Sequence, residues 1–230
     1  MSNTFITIAV DGGAAAGKSS TSRALAARFN LLHVDTGMHY RALTWSLLEA
    51  GVSLEDEATI SRFLETQIHL ETEIHEHSTF IRLNGQAPTA ECLRSEQVNT
   101  YVSKVASWPC VRTFLLDYQR SLANLAQKNN YPGLIMEGRD IGSVIFPHAD
   151  FKFFLSAHAD ARAARRALEG IGQDSITQRD AADSSRKAAP LICPEGALAV
   201  DSSHMTLAQV IDLISAHIVT RLPLAVSLKQ

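Results

Sequence analysis

Residues 12–19 read Gly12-Gly13-Ala14-Ala15-Ala16-Gly17-Lys18-Ser19, with Ser20 next, and satisfy the pattern G-x-x-x-x-G-K-S/T. The chemistry of such a run is phosphate binding. Side chains no larger than a methyl group let the backbone close around a polyphosphate with successive N–H groups pointing inward. A helix beginning at the lysine adds the positive end of its dipole. In this pattern Lys18 reaches the β- and γ-phosphates of a bound nucleotide, and the Ser19 hydroxyl takes Mg2+. Switches, motors and transferases all use such a loop. A guanine-reading N-K-x-D segment, which a GTPase switch needs, is missing from the chain.

Direct phosphoryl transfer asks for more than one phosphate site. Two anions must be brought together, so their repulsion has to be offset by fixed positive charge and water has to be kept out. Arginine suits the task because its planar fork binds phosphate oxygens in pairs and stays charged. Arg41, Arg139, Arg179 and Arg186 stand in segments that fit this need.

Those segments carry a resemblance. Asp35-Thr36-Gly37-Met38-His39-Tyr40-Arg41 resembles the D-S/T-G-x-x-Y-R segment of bacterial-type cytidylate kinases. Glu137-Gly138-Arg139-Asp140-Ile141-Gly142-Ser143-Val144-Ile145-Phe146-Pro147 is similar to their D-G-R-D-x-G-T-x-V-x-P segment. Arg179-Asp180, with Asp183, Arg186 and Ala189-Pro190-Leu191, is similar to their lid. With the phosphate loop this makes four motifs in family order. The resemblance implies transfer of the γ-phosphate of ATP to CMP or dCMP. It also leaves open another acceptor (UMP, AMP or a small metabolite) or an ATP-binding protein without catalysis.

Residue by residue, the resemblance implies that Thr36, Tyr40, Arg41 and Arg139 bind the acceptor, the last three at its phosphate. Ser103, Arg112 and Asp140 align with positions that read the cytosine edge, and Asp183 with one that meets the ribose. Arg179 and Arg186 would close over the phosphates, sharing catalysis with Lys18 and Arg139. Residues 12–20 would hold ATP. The match is imperfect in three places. Ala14 stands where a hydroxyl is common, Glu137 replaces an aspartate and would hold Mg2+ through water, and the stretch from Arg166 to Arg179 is short. The last predicts a smaller lid that protects the site less well. Arg162, Arg165 and Arg166 read mainly as helix surface, with room for one of them to face the ATP base, and Asp11 as a cap or brace for the loop.

The elements that position these residues alternate. Phe5–Val10 is a short apolar run rich in β-branched residues, as a strand buried on both faces should be. Leu31–Val34, Gly133–Met136, Phe151–Leu155 and Leu198–Val200 read as further strands, and residues 18–28, 39–50, 96–106 and 109–127 as helices. A last helix has Leu207, Val210, Ile211, Ile214 and Ile218 at helical spacing. The pattern predicts an α/β fold, a parallel sheet covered by helices on both faces. Residues 67–88 turn strand-like, and Leu83-Asn84-Gly85 is a hairpin signal there. The expected organisation is a core of residues 1–38 and 131–230 with a lid near 169–190. Residues 39–130 form an acceptor-binding region with a small sheet-containing insertion.

Composition sets the outer bounds. The 230 residues carry a net charge of −3, which lacks the excess cation of a surface that coats nucleic acid. The three cysteines are scattered and in no metal-binding pattern, so they read as reduced thiols. The start lacks the features of a secretion signal, and no apolar run approaches the roughly 20 residues of a membrane helix. The expectation is a cytoplasmic protein with small nucleotides as its partners; the resemblance adds that it is a monomer.

Overall fold

The computed structural model describes residues 5–168, 183–186 and 189–222. Arg179 and most of the expected lid therefore lie outside the described residues, as does the side chain of Arg166.

In chain order the elements are β1 (Ile6–Gly12), α1 (Lys18–Phe29), β2 (Leu32–Asp35), α2 (Thr36–Glu49), α3 (Glu57–Gln67), β3 (Leu70–His75) and β4 (Ser78–Leu83). There follow α4 (Ala90–Leu93), α5 (Glu96–Val105), α6 (Pro109–Lys128), β5 (Gly133–Gly138), a π-helical turn (Ile141–Ile145), β6 (Phe151–Ser156), α7 (Ala159–Leu168), β7 (Leu198–Asp201) and α8 (Leu207–Arg221). Among the described residues the strands form a seven-stranded sheet in the order β3-β4-β2-β5-β1-β6-β7. All pairings are parallel except β3 with β4.

Burial explains the sequence of the central strands. All six residues of β5 are buried, and β1 is buried at every position but Thr7. Strands that pack on both faces lose the alternation of half-exposed ones and read as apolar runs. One face is covered by α1 and α8, whose Leu25, Ala26, Val210, Ile214 and Ile218 meet Ile8, Val10, Ile135 and Phe153. The other is covered by α6, where Leu122 and Ala126 meet Ala9, Val34, Leu134 and Met136. A third core joins α2, α3, α5 and α6. Among the described residues no helix is long and apolar enough to cross a membrane.

The middle of the chain differs from expectation in two ways. The turn joining β3 to β4 lies at Glu76, at φ 51°. Asn84 and Gly85, at φ 52° and 75°, form a separate tight turn closed by two Leu83–Gln86 backbone hydrogen bonds. Their sequence specified the turn, since both centres accept positive φ, but it follows the hairpin instead of closing it. The β3–β4 pair is also part of the main sheet, joined to β2 where His33 pairs with Ser78.

One buried group sets an acid limit on stability. His39 on α2 is buried, packs edge-to-face on Tyr118 at 5.2 Å and has no hydrogen-bond partner for Nδ1 among the described residues. Burial pushes its pKa down to about 3. The unfolded chain thus takes up a proton near pH 6.5 that the folded chain refuses, so stability present above pH 6.5 is lost as pH falls toward 3. His39→Leu should remove this loss. Between pH 7.5 and 4.5 the wild type should lose about 2 kcal/mol more than the variant in urea unfolding. Parallel losses in the two proteins would refute the assignment.

Candidate active site

The carboxyl ends of β1, β2 and β5 open into one cavity of about 330 Å³. Ligands in open α/β sheets bind at this edge because loops there leave the strands together. The loop after β1 forms the floor. A Cβ on Gly12, at φ 151°, would lie 2.1 Å from the Leu155 carbonyl oxygen, so β1 turns there against β6 with no room for a side chain. Gly17, at φ 89°, starts α1 without a side-chain cap, which leaves the first-turn N–H groups of the helix for an anion. Lys18 is largely buried and donates from Nζ to the Gly13 carbonyl at 2.7 Å.

Ser19 Oγ donates to Glu137 Oε2 at 2.8 Å, and His33 Nε2 meets Glu137 Oε1 at 2.8 Å. Asp35 pairs in register with Glu137, so two carboxyl groups stand side by side at the ends of β2 and β5. Burial acts to raise Glu137, but the His33 hydrogen bond and charge, Lys18 and Ser19 together hold its carboxyl below the usual range. Asp35 goes the other way, raised by burial and by the charge of Glu137.

Asp11 braces a loop other than the one expected, the turn after β5 and not the loop after β1. Its two carboxylate oxygens accept from Ile141 N and Gly142 N, each at 2.7 Å, and so pin the start of the π-helical turn after β5. Burial raises its pKa to about 6 despite those bonds.

Much of the remaining cavity wall is a set of opposed charges. Arg139 Nε donates to Asp183 Oδ2 at 2.8 Å, and Arg186 meets Asp183 Oδ1 at 3.5 Å. Burial holds the Arg186 guanidinium below its ordinary range. Arg112 pairs with Asp140, donates to the Ala106 carbonyl at 3.2 Å, and lies over the Tyr40 ring at 5.6 Å. Burial raises Asp140, and pushes Tyr40 up to about 12. Arg41 donates to the Leu93 carbonyl at 2.8 Å and to Asn99 Oδ1 at 2.9 Å. Thr36 Oγ1 donates to the Glu137 carbonyl at 2.7 Å.

The cavity brings together most residues expected at the site. Ala14, Ala15, Gly17, Lys18, Ser19 and Ser20 line its floor; Thr36, Tyr40, Arg41, Ser103, Arg112, Glu137, Arg139, Asp140, Asp183 and Arg186 line the rest. Gly12, Gly13 and Ala16 shape the loop without lining the space.

Arg162 and Arg165 are corrected. They were read as helix surface, but α7 lies over the phosphate loop. Arg162 donates to the Ala14 carbonyl at 3.4 Å and Arg165 to the Ala15 carbonyl at 3.5 Å. Arg165 also donates to Ser202 Oγ at 3.0 Å and to the Ser202 carbonyl at 2.7 Å, tying the loop to the end of β7. A stripe of arginines on a helix carries no signal of what it faces.

Other lining residues had no assigned role. Arg23, Arg94, Asn99 and Asp35 all face the cavity. Asn99 was legible, since it stands one helical turn before Ser103 on the same face of α5. His33, which meets Glu137 without lining the cavity, was legible as the polar residue inside an apolar strand. Arg94, between two helices, offered no pattern.

Residues 8–220 match the cytidylate kinase family. A cytidylate kinase of Streptomyces avermitilis is 40% identical over 215 residues, spanning 91% of this chain and 90% of that one. Cytidylate kinases of a Geobacillus species and of Bdellovibrio bacteriovorus are 40% and 38% identical, spanning 91% and 92% of this chain and 94% and 96% of theirs. The matched stretch runs from within β1 to within α8 and holds the whole described cavity, so the chain belongs to the cytidylate kinase family.

Proposed function

We propose that the protein transfers the γ-phosphate of ATP to CMP or dCMP, giving ADP and CDP or dCDP. The observation that carries this reading is that a glycine-rich loop and an arginine set line one cavity. Lys18, Arg41, Arg139 and Arg186 all contribute to its wall. Relatives bearing the name cytidylate kinase supply the acceptor.

In this reading ATP lies on residues 12–20, with Lys18 drawing negative charge from the β- and γ-phosphates. Arg41, Arg139 and Tyr40 hold the acceptor phosphate. Arg112, Ser103 and Asp140 face the base. The Arg112–Asp140 pair presents a donor and an acceptor side by side, which suits the carbonyl and exocyclic amine of cytosine. Asp183 exchanges an arginine partner for the ribose hydroxyls. The acceptor phosphate oxygen attacks the γ-phosphorus in line, the bond to the β-phosphate oxygen breaks, and ADP leaves. The attacking oxygen is already ionised, so the protein supplies position and field and needs no general base.

The donor set at Ser19 fits a small hard cation. A hydroxyl and a carboxylate oxygen lie 2.8 Å apart, and among the described residues no group of three or more His, Cys, Asp or Glu side chains forms a full protein cage. Mg2+ takes few protein ligands and keeps waters and phosphate oxygens, so Ser19 would hold it directly and Glu137 through water. When bound, it neutralises phosphate charge.

Residues 1–38 and 131–230 then form the donor core with a lid near 169–190, and residues 39–130 bind the acceptor. The reading takes the protein as a cytoplasmic monomer with no nucleic-acid or membrane partner; its net charge of −3 accords with small-molecule partners. Initial rates with ATP and a panel of CMP, dCMP, UMP, AMP and shikimate test it. CMP and dCMP should exceed the others in kcat/KM by about 100-fold or more. Folded protein that makes no CDP, or that prefers another acceptor, would refute it.

A further inference from the structure

The carboxylate of Glu137 is 2% exposed and has Asp35 beside it, so both its oxygens need donors for the anion to be tolerated. They have them: Ser19 Oγ at 2.8 Å on Oε2 and His33 Nε2 at 2.8 Å on Oε1. An ionised carboxylate only accepts, so Nε2 of His33 carries the proton in this contact. His33 is itself buried, in a strand whose neighbours Leu32 and Val34 are apolar. Register places it well. His33 pairs with Ile135 and Asp35 with Glu137, so the two-residue period puts His33, Asp35 and Glu137 on the face toward α1, where Ser19 lies.

Glu137 is one methylene longer than the aspartate of the segment it resembles. The extra length lets one carboxylate span both Ser19 and His33, and it adds a broad terminal torsion that must be fixed. We infer that His33 is a positioning residue that holds one oxygen of Glu137 so that the other stays aimed at Ser19 and at the cation Ser19 would bind. Without the imidazole donor, Oε1 is an unpaired acceptor beside Asp35, and the carboxylate turns away from Ser19. Partners of this kind set the orientation of groups that meet a metal, and their loss typically costs 10- to 100-fold in its affinity.

This inference rests on the reading of Ser19 and Glu137 as the Mg2+ site, and the test separates the two. The dissociation constant of a non-hydrolysable ATP analogue is measured by calorimetry with saturating MgCl2 and with EDTA. The ratio of the two gives the gain from metal. A wild-type ratio near one would overturn the metal site and this inference with it. With a wild-type gain in hand, His33→Leu should reduce it about 10- to 100-fold while binding in EDTA stays within about twofold. His33→Gln, whose amide N–H reaches the same oxygen, should stay within about threefold of wild type. His33→Asn, too short for Oε1, should behave as His33→Leu and serves if that variant does not fold. In a Glu137→Asp background the shorter carboxylate no longer reaches His33, so adding His33→Leu should change the gain less than about twofold. Three results would overturn the role of His33 alone: an undiminished gain in both His33→Leu and His33→Asn, an equal loss in EDTA, or an equal loss in the Glu137→Asp background.

Discussion

Lys18→Ala is expected to lower kcat by about a thousandfold or more while CMP binding stays within about twofold. The ammonium starts α1, is largely buried, and is fixed by the Gly13 carbonyl at 2.7 Å, so its charge is already in place when a nucleotide arrives. It also offsets three carboxyl groups, since its field lowers the pKa of Asp11, Asp35 and Glu137. Without it that share of the offset is lost, and His33, Ser19 and the backbone N–H groups at Asp11 remain. A charge aimed at the transferring group acts most in the transition state, where negative charge spreads over the equatorial oxygens. The defect should therefore appear in kcat, and calorimetry with CMP alone should look nearly normal because the lysine is on the donor side. A coupled assay showing a tenth or more of wild-type turnover would contradict the assigned role.

The second large effect is expected at Arg139. Arg139→Ala should reduce kcat/KM for CMP by about 100- to 1,000-fold, with both constants affected. Arg139 sits beside buried Asp140 and donates to Asp183, which Arg186 also meets. Asp183 thus gathers two of the cations proposed for transfer. Alanine removes the fork and takes from Asp183 one of the two arginines it holds, leaving it with Arg186. Arg139→Lys keeps the charge but not the paired donors, and should recover only part of the loss. Arg139 is a quarter exposed and lies outside the three apolar cores, so its loss should shift the urea midpoint little. Near-normal kcat/KM in a stable Arg139→Ala protein would remove this residue from the acceptor site.

Local chemistry made part of this molecule legible. The phosphate loop was readable because Gly12, Gly17 and the small residues between them act within one turn, flanked by a strand and a helix that each announce themselves by period. Asp11 could be read as a brace, but which loop it holds, the turn after β5, was not in the sequence around it. The placement of Asn84-Gly85 shows the limit. The dipeptide dictates a turn, but whether that turn joins two paired strands depends on which strands pair. Arg162 and Arg165 were misread for a similar reason: a helix surface becomes a site wall only through the loop that it covers.

The amino-acid order by itself determined the alternating α/β pattern, the loop proposed to cradle phosphate, and the four motifs that resemble the family. Tertiary structure alone decided which charges meet. Ser19 and Glu137 are 118 residues apart, His33 and Glu137 104, Arg139 and Asp183 44, and Arg112 and Asp140 28. Helical period, strand period and turn preference act over a few residues, so each can be read in a short window. The partners of a buried charge are set by the order of strands in the sheet, which brings the ends of β1, β2 and β5 side by side and which no single window contains.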